Sequence, residues 1–136
     1  FYDGTEVDAA VLVMAEVGFL PATDPRVVGT VAAIERQLVR DGFVDRYHTG
    51  SGVDGLPHGE GAFLLCTFWL ADNYALMGRE ADARRTFESL LAVRNDVGLL
   101  AEEYDPVARR QLGNFPQAFS HPGLINTARN LAQREK

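Results

Sequence analysis

Cysteine is nearly absent from this chain. Cys66 stands alone, which excludes an internal disulfide and a cysteine metal cluster. Its place inside the apolar run "AFLLCTFWLA" (62–71) suits a small buried hydrophobe. That run is the longest of its kind, too short to span a bilayer, and Asp72 and Asn73 follow it at once. A basic stripe is missing too. The arginines are scattered and the formal net charge is −6, which makes nucleic acid and anionic membrane surfaces poor partners and a neutral ligand a better one. No basic segment followed by an apolar one opens the chain, which begins on Phe1 rather than Met. The native N-terminus is therefore expected upstream. What the chain has in quantity is core-forming material, since 46% hydrophobic and 10% aromatic residues in 136 are ample for one packed domain.

Helical signals come in order. Thr5 with Asp8 reads as a capping box for a first helix, whose apolar set Ala9, Val11, Leu12, Val13, Met14, Ala15 and Val17 runs to Gly18. Asp24 and Pro25 are an N-cap and N1 pair. The helix they open carries Val27, Val28, Val31, Ile34, Leu38 and Val39 on one face and is expected to end at Gly42. From Ala62 to Met77 nearly every side is apolar until Asp72, the mark of a helix packed on two faces. Glu80 to Val93 is the opposite case, with Ala83, Phe87, Leu90 and Leu91 inward and charged residues outward. Ser120 is the expected cap of a fifth helix with the stripe Leu124, Ile125, Ala128, Leu131 and Ala132.

The order apolar helix, short turn, amphipathic helix, long loop then repeats. "DGFVDRY" (41–47) and "NDVGLLAEEY" (95–104) close the two rounds, with Tyr47 and Tyr104 at corresponding places. Repeated hairpins with a buried inner and a wetter outer helix suit a double ring of helices, short turns at one end and long loops at the other. Two and a half hairpins are too few to close such a ring, so a fragment of a longer chain is expected. An independent five-helix bundle is the alternative, against which the length of the ordered loops argues.

The long loops hold the candidate chemistry. "GSGVDG" (50–55) satisfies G-x-G-x-x-G on paper, but no strand precedes it and no helix follows, so it is not read as a dinucleotide fingerprint. His48, His58 and His121, with Glu60 beside His58, invite a metal reading. No His pair at i, i+4 and no C-x-x-C accompanies them, and no metal site or cofactor is assigned. Glu60, at a glycine-flanked helix start, is a candidate pocket carboxylate. In "GLLAEEYDP" (98–106), Glu102 and Glu103 are adjacent, and on extended backbone neighbours point to opposite sides, so one faces in and one out. Spacing leaves two readings open: a surface acidic loop paired with Arg109 or Arg110, or a working base.

Three stretches, "GEGAFLLCTFWLADNYALMGR" (59–79), "LLAEEYDP" (99–106) and "GNFPQAFSHPGLIN" (113–126), resemble the C-terminal part of the bacterial family 15 glycoside hydrolases, the glucoamylase-like group that includes trehalases and glucodextranases. The opening "FYDGTEVDAAVLVMAEVGFLPATDPRV" resembles the segment before them, so the likeness covers essentially the whole chain in the family's order.

The resemblance implies an (α/α)6 barrel (α/α toroid), an all-α fold of which residues 1–136 form the C-terminal segment. It implies inverting hydrolysis of α-glucosidic bonds in trehalose, maltooligosaccharides or dextran. Glu102 lies at the position of the general base, with Glu103 as the outward or supporting partner. An inverting enzyme needs an ionised carboxylate that takes a proton from water about 6.5–9.5 Å from the acid protonating the leaving oxygen. No match to the family's general acid occurs in this chain, so the segment by itself is expected to be inactive and to work with the rest of its polypeptide. Glu60, Tyr104, Gln117, Phe119 and His121 are the expected wall of the sugar site, Phe119 as a stacking surface. The resemblance favours the cytoplasm. The reading from another class is a non-catalytic helical module that binds carbohydrate or a partner in the same groove.

Overall fold

The computed structural model describes residues 6–48 and 61–134. The chain enters through a 3₁₀ turn, Ala9–Leu12, that runs into a short helix, α1 (Val13–Glu16). Thr5 lies outside the described residues. Asp8 is itself the cap, its side chain accepting from the Ala10 N–H at 2.8 Å. Only Ala9 and Leu12 of the expected apolar set are buried, and Val17 is 72% exposed. One face of this first element is therefore uncovered.

Helix α2 (Pro25–Gln37) starts as expected, with Asp24 accepting from the Arg26 N–H at 2.9 Å. Val27, Val31, Ile34 and Leu38 are buried, whereas Val28 stands one position off that stripe and is exposed. The helix ends five residues before the expected Gly42. Residues 39–44 form instead a hairpin of β1 (Val39–Arg40) and β2 (Phe43–Val44), with Arg40 opposite Phe43. Its turn, Asp41-Gly42, has φ of 50° and 86°. Two consecutive positive φ values are what a two-residue hairpin turn requires, and Asp-Gly supplies them at low cost.

The centre of the molecule is α3 (Leu64–Leu76), preceded by β3 (Ala62–Phe63). Leu64, Cys66, Phe68, Leu70, Ala71 and Ala75 are buried on all sides of it. Such a helix needs neighbours all round, and it contacts the first turn, α1, β2, α4 and α5. Burial pushes the Cys66 thiol up to about 12, in keeping with an inert core residue. Helix α4 (Glu80–Ala92) buries Ala83 and Leu90 and turns Arg84, Arg85 and Glu88 to water. Tyr74 of α3 donates to Glu35 of α2 at 2.9 Å, and Arg79 pairs with the same carboxylate at 2.9 Å while lying over the Tyr74 ring. These groups tie α2 to the α3–α4 turn.

Beyond α4, the strands β4 (Glu103–Asp105) and β5 (Arg110–Leu112) precede α5 (Ser120–Arg134). Strand β4 pairs with both β3 and β5, all antiparallel. The molecule is mostly helical, as expected, and two small sheets accompany the helices: the β1–β2 hairpin after α2, and short extended runs before α3 and after α4 that pair with one another. In α5, Leu131 is buried and Leu124 partly so, but Ile125 is 62% exposed and Thr127 is buried in its stead. Ser120 does not cap; its hydroxyl donates to the Ala101 carbonyl at 2.7 Å.

Candidate functional site

Asn95 begins the ordering of the segment that carries the acid pair. Its side-chain oxygen accepts from the N–H groups of Val97 and Leu99 at 3.1 and 2.7 Å, and Gly98 turns the chain at φ 84°. Leu100 and Ala101 are then fully buried. Gln111 reaches across from β5: its carbonyl oxygen accepts from the Ala101 N–H, and its amide donates to Val93 O at 2.9 Å. The Leu100 carbonyl accepts from the Gln117 N–H at 2.9 Å and the Ala101 carbonyl from Ser120. At Glu102 the N–H donates to Asn114 O and the carbonyl accepts from Leu64 N–H, both at 3.0 Å. Buried backbone bonded this densely is restricted in the conformations open to it. The Cα of Glu102 is held by α3 on one side and the 113–117 segment on the other.

The two carboxylates engage opposite neighbours. Glu102 Oε2 accepts from the Asn114 side-chain amide at 2.9 Å and its N–H at 3.2 Å. Glu103 Oε2 accepts from the Gly61 N–H at 2.9 Å, on the β3 side. The two side chains leave opposite sides of the chain where it enters β4, one toward residues 113–114 and one toward β3. The surface reading paired these acids with Arg109 or Arg110. Arg109 instead lies in the exposed hairpin turn, where Asp105 accepts from the Val107 and Ala108 N–H groups, and Arg110 is the exposed first residue of β5, opposite Asp105. Gly61 has no room for a side chain: a Cβ there would meet the Tyr104 carbonyl oxygen at 2.8 Å.

The other candidates fall as follows. Glu60 and His58 lie outside the described residues, as does "GSGVDG". Tyr104 is opposite Ala62 and Gln111, and its ring rests on Phe43 at a centroid distance of 5.0 Å, so it serves the core beside the acid pair. Gln117 and His121 meet: His121 Nδ1 donates to the Gln117 carbonyl at 2.8 Å. That bond puts the proton of a neutral ring on Nδ1. His121 Nε2 is shielded from solvent with no partner among the described residues. Phe119 is 61% exposed, as a stacking surface must be, and Phe115 is 52% exposed on the same segment. Gln111, Gly113 and Asn114 carry no individual signal in the sequence beyond the Gly-Asn pair at 113–114, a turn signal, and Ser120 reads there only as a helix cap. Among the described residues no group of three or more His, Cys, Asp or Glu side chains gathers as a metal site, and no helix is long and apolar enough to cross a membrane.

A second group of acids lies between α1, α3 and α5, around a cleft of about 230 Å³ lined by Glu16, Asn126, Arg129 and Asn130 among others. Asp72 is 1% exposed and accepts from Thr127 Oγ1 at 3.0 Å and Asn130 Nδ2 at 2.8 Å. Burial raises its pKa and those two bonds oppose the rise. Crowding by surrounding protein, then the charge of Asp72, pushes Glu16 up to about 8. The Glu16 side chain as a whole stays exposed, so water screens part of that effect.

The model of the glycosyl hydrolases family 15 matches residues 2–129. A trehalase of Mycobacterium tuberculosis is 42% identical over 135 residues, 99% of this chain and 20% of its own length. A trehalase of Thermoplasma volcanium is 41% identical over 133 residues, 98% of this chain and 21% of its own. This chain thus spans about a fifth of the length of these curated relatives. Among solved structures, a glycosidase variant in complex with glucose superposes with a TM-score of 0.81 at 25% identity, over 96% of this chain and 37% of that one. With the family's pattern running through both the helical scaffold and the clamped acid segment, the chain belongs to glycosyl hydrolases family 15.

Proposed function

We propose that residues 1–136 are the C-terminal segment of an (α/α)6 catalytic domain that hydrolyses an α-glucoside with inversion, trehalose being the favoured substrate, and that Glu102 is its general base. The observation that carries this reading is the Glu102 carboxylate itself. It is half-buried, fixed at its Cα by bonded backbone on both sides, and bound through one oxygen only by neutral donors. Both donors belong to the Asn114 amides, so they orient the carboxylate without pairing it with a cation. The names of the relatives support trehalose, and the glucose complex of a structural neighbour supports a glucosyl-binding cavity.

In the step assigned to Glu102, water is held on the far face of the glucosyl ring from the leaving oxygen. One O–H proton passes to the carboxylate as the water oxygen bonds to C1. The C1–O bond to the leaving group breaks, and an acid elsewhere in the polypeptide protonates the leaving oxygen. Phe119 offers an apolar face to the sugar, Gln117 and His121 order the segment that carries it, and Glu103 fixes the β3 side through Gly61. The test is to express the complete polypeptide and follow glucose release from trehalose, maltooligosaccharides and dextran by proton NMR. Release from trehalose with β-glucose as the newly formed anomer is expected. Binding of these sugars without turnover, or release of α-glucose alone, overturns the reading.

A further inference from the structure

Asn114 touches Glu102 three times. Its carbonyl accepts from the Glu102 N–H at 3.0 Å, and its own N–H and side-chain amide donate to Glu102 Oε2 at 3.2 and 2.9 Å. The register explains how the acid reaches it. The ladder ends at Glu103 opposite Leu112, and just beyond it Gly113 lies against Glu102: a Cβ at Gly113 would come within 2.9 Å of Glu102 Oε2 and 3.0 Å of its Cβ. The missing side chain leaves the space across which the carboxylate folds toward Asn114.

We propose that Asn114 is the positioning residue of the base: it holds Oε2 as a spectator oxygen and leaves Oε1 to take the proton from the attacking water. This rests on the reading of Glu102 as the base. The last torsion of a glutamate is broad, so an unheld carboxylate presents either oxygen over a range of angles. Two donors converging on Oε2 set the plane of the group and remove that freedom before substrate arrives. Oxygen identity is thereby fixed as well, since an oxygen already accepting two bonds competes poorly for the water proton.

The experiment uses the complete polypeptide with trehalose, and compares Asn114→Ala and the same-sized Asn114→Asp in two backgrounds, wild type and Glu102→Gln. In the wild-type background Asn114→Ala is expected to lower kcat by about 10- to 100-fold, the scale of a misplaced reacting group, with KM little changed. Asn114→Asp is expected to lose at least as much, because it replaces a donor with a like charge. In the Glu102→Gln background neither change lowers the residual rate further, since residues that act as one unit are not additive. Unfolding midpoints establish that each variant is folded. Wild-type kcat in folded Asn114→Ala or Asn114→Asp overturns the inference, as does an equal loss in both backgrounds. If Glu102→Gln alone leaves kcat intact, the reading of Glu102 fails and this inference falls with it. If Glu102→Gln abolishes turnover while the Asn114 variants do not change it, only the role of Asn114 is lost.

Discussion

A glutamate beside a strand is ordinary; what distinguishes Glu102, just before β4, is the absence of a side chain on the residue packed against it. Gly113 has φ 73°, a region costly for other residues, and a Cβ there meets the Glu102 carboxylate at 2.9 Å. Gly113→Ala therefore combines backbone strain with displacement of the acid. It is expected to cost about 1–3 kcal/mol of stability and to lower kcat, read by urea unfolding and by trehalose turnover of the complete protein. Unchanged values in both would show that the backbone relaxes away from the contact. Glycine marks this place for a local reason that a sequence pattern alone does not expose.

At the scale of elements, the decisive joints are those between helix ends and the small sheet. Ser120 is the clearest. Its buried hydroxyl binds Ala101, one residue before Glu102, so α5 and the acid segment share a hydrogen bond. Ser120→Ala leaves that carbonyl buried and short of a donor, and thermal or urea unfolding is expected to report a loss of about 1–3 kcal/mol. A loss near zero would mean that water takes the hydroxyl's place.

The helices themselves were legible from periodicity, because α2, α3 and α4 differ in how many of their faces are apolar, and the structure buries those faces. Boundaries were less so. The apolar stripe of α2 runs on through Val39 and masks the Asp41-Gly42 hairpin signal, and β3 and β4 are illegible because strands of two or three residues show no alternation to detect. Thr127 replaced Ile125 on the buried face of α5 because Asp72, buried in the partner helix, needs a donor there. Polar burial of this kind depends on a partner 55 residues away and is invisible to local pattern. Of the candidate site, family resemblance singles out Glu102, whereas spacing alone leaves it open between surface and pocket. Its partners Asn114 and Gly113 appear only once β4 and β5 are paired.

At the scale of the whole molecule, the acids between α1, α3 and α5 set a dependence of stability on pH. Glu16, pushed up to about 8 by its surroundings and by Asp72, keeps its proton in the folded state at pH values where the unfolded chain, with an ordinary value of 4.5, releases it. The folded state binds more protons across that interval, so this contribution to stability falls as pH rises from about 4.5 to about 8. Glu16→Gln is expected to flatten the decline, measured as unfolding midpoint against pH. A parallel profile in the variant would assign the decline elsewhere.

The scaffold that carries those acids also holds the clamped segment at its loop end, and the catalytic reading turns on that segment. Its most direct test is the trehalose turnover number of the complete polypeptide before and after Glu102→Gln, a change that keeps shape and removes basicity. The account predicts a fall of about 10²- to 10⁴-fold, the range for a general base, with the unfolding midpoint nearly unchanged. Turnover equal to wild type in the folded variant would contradict it.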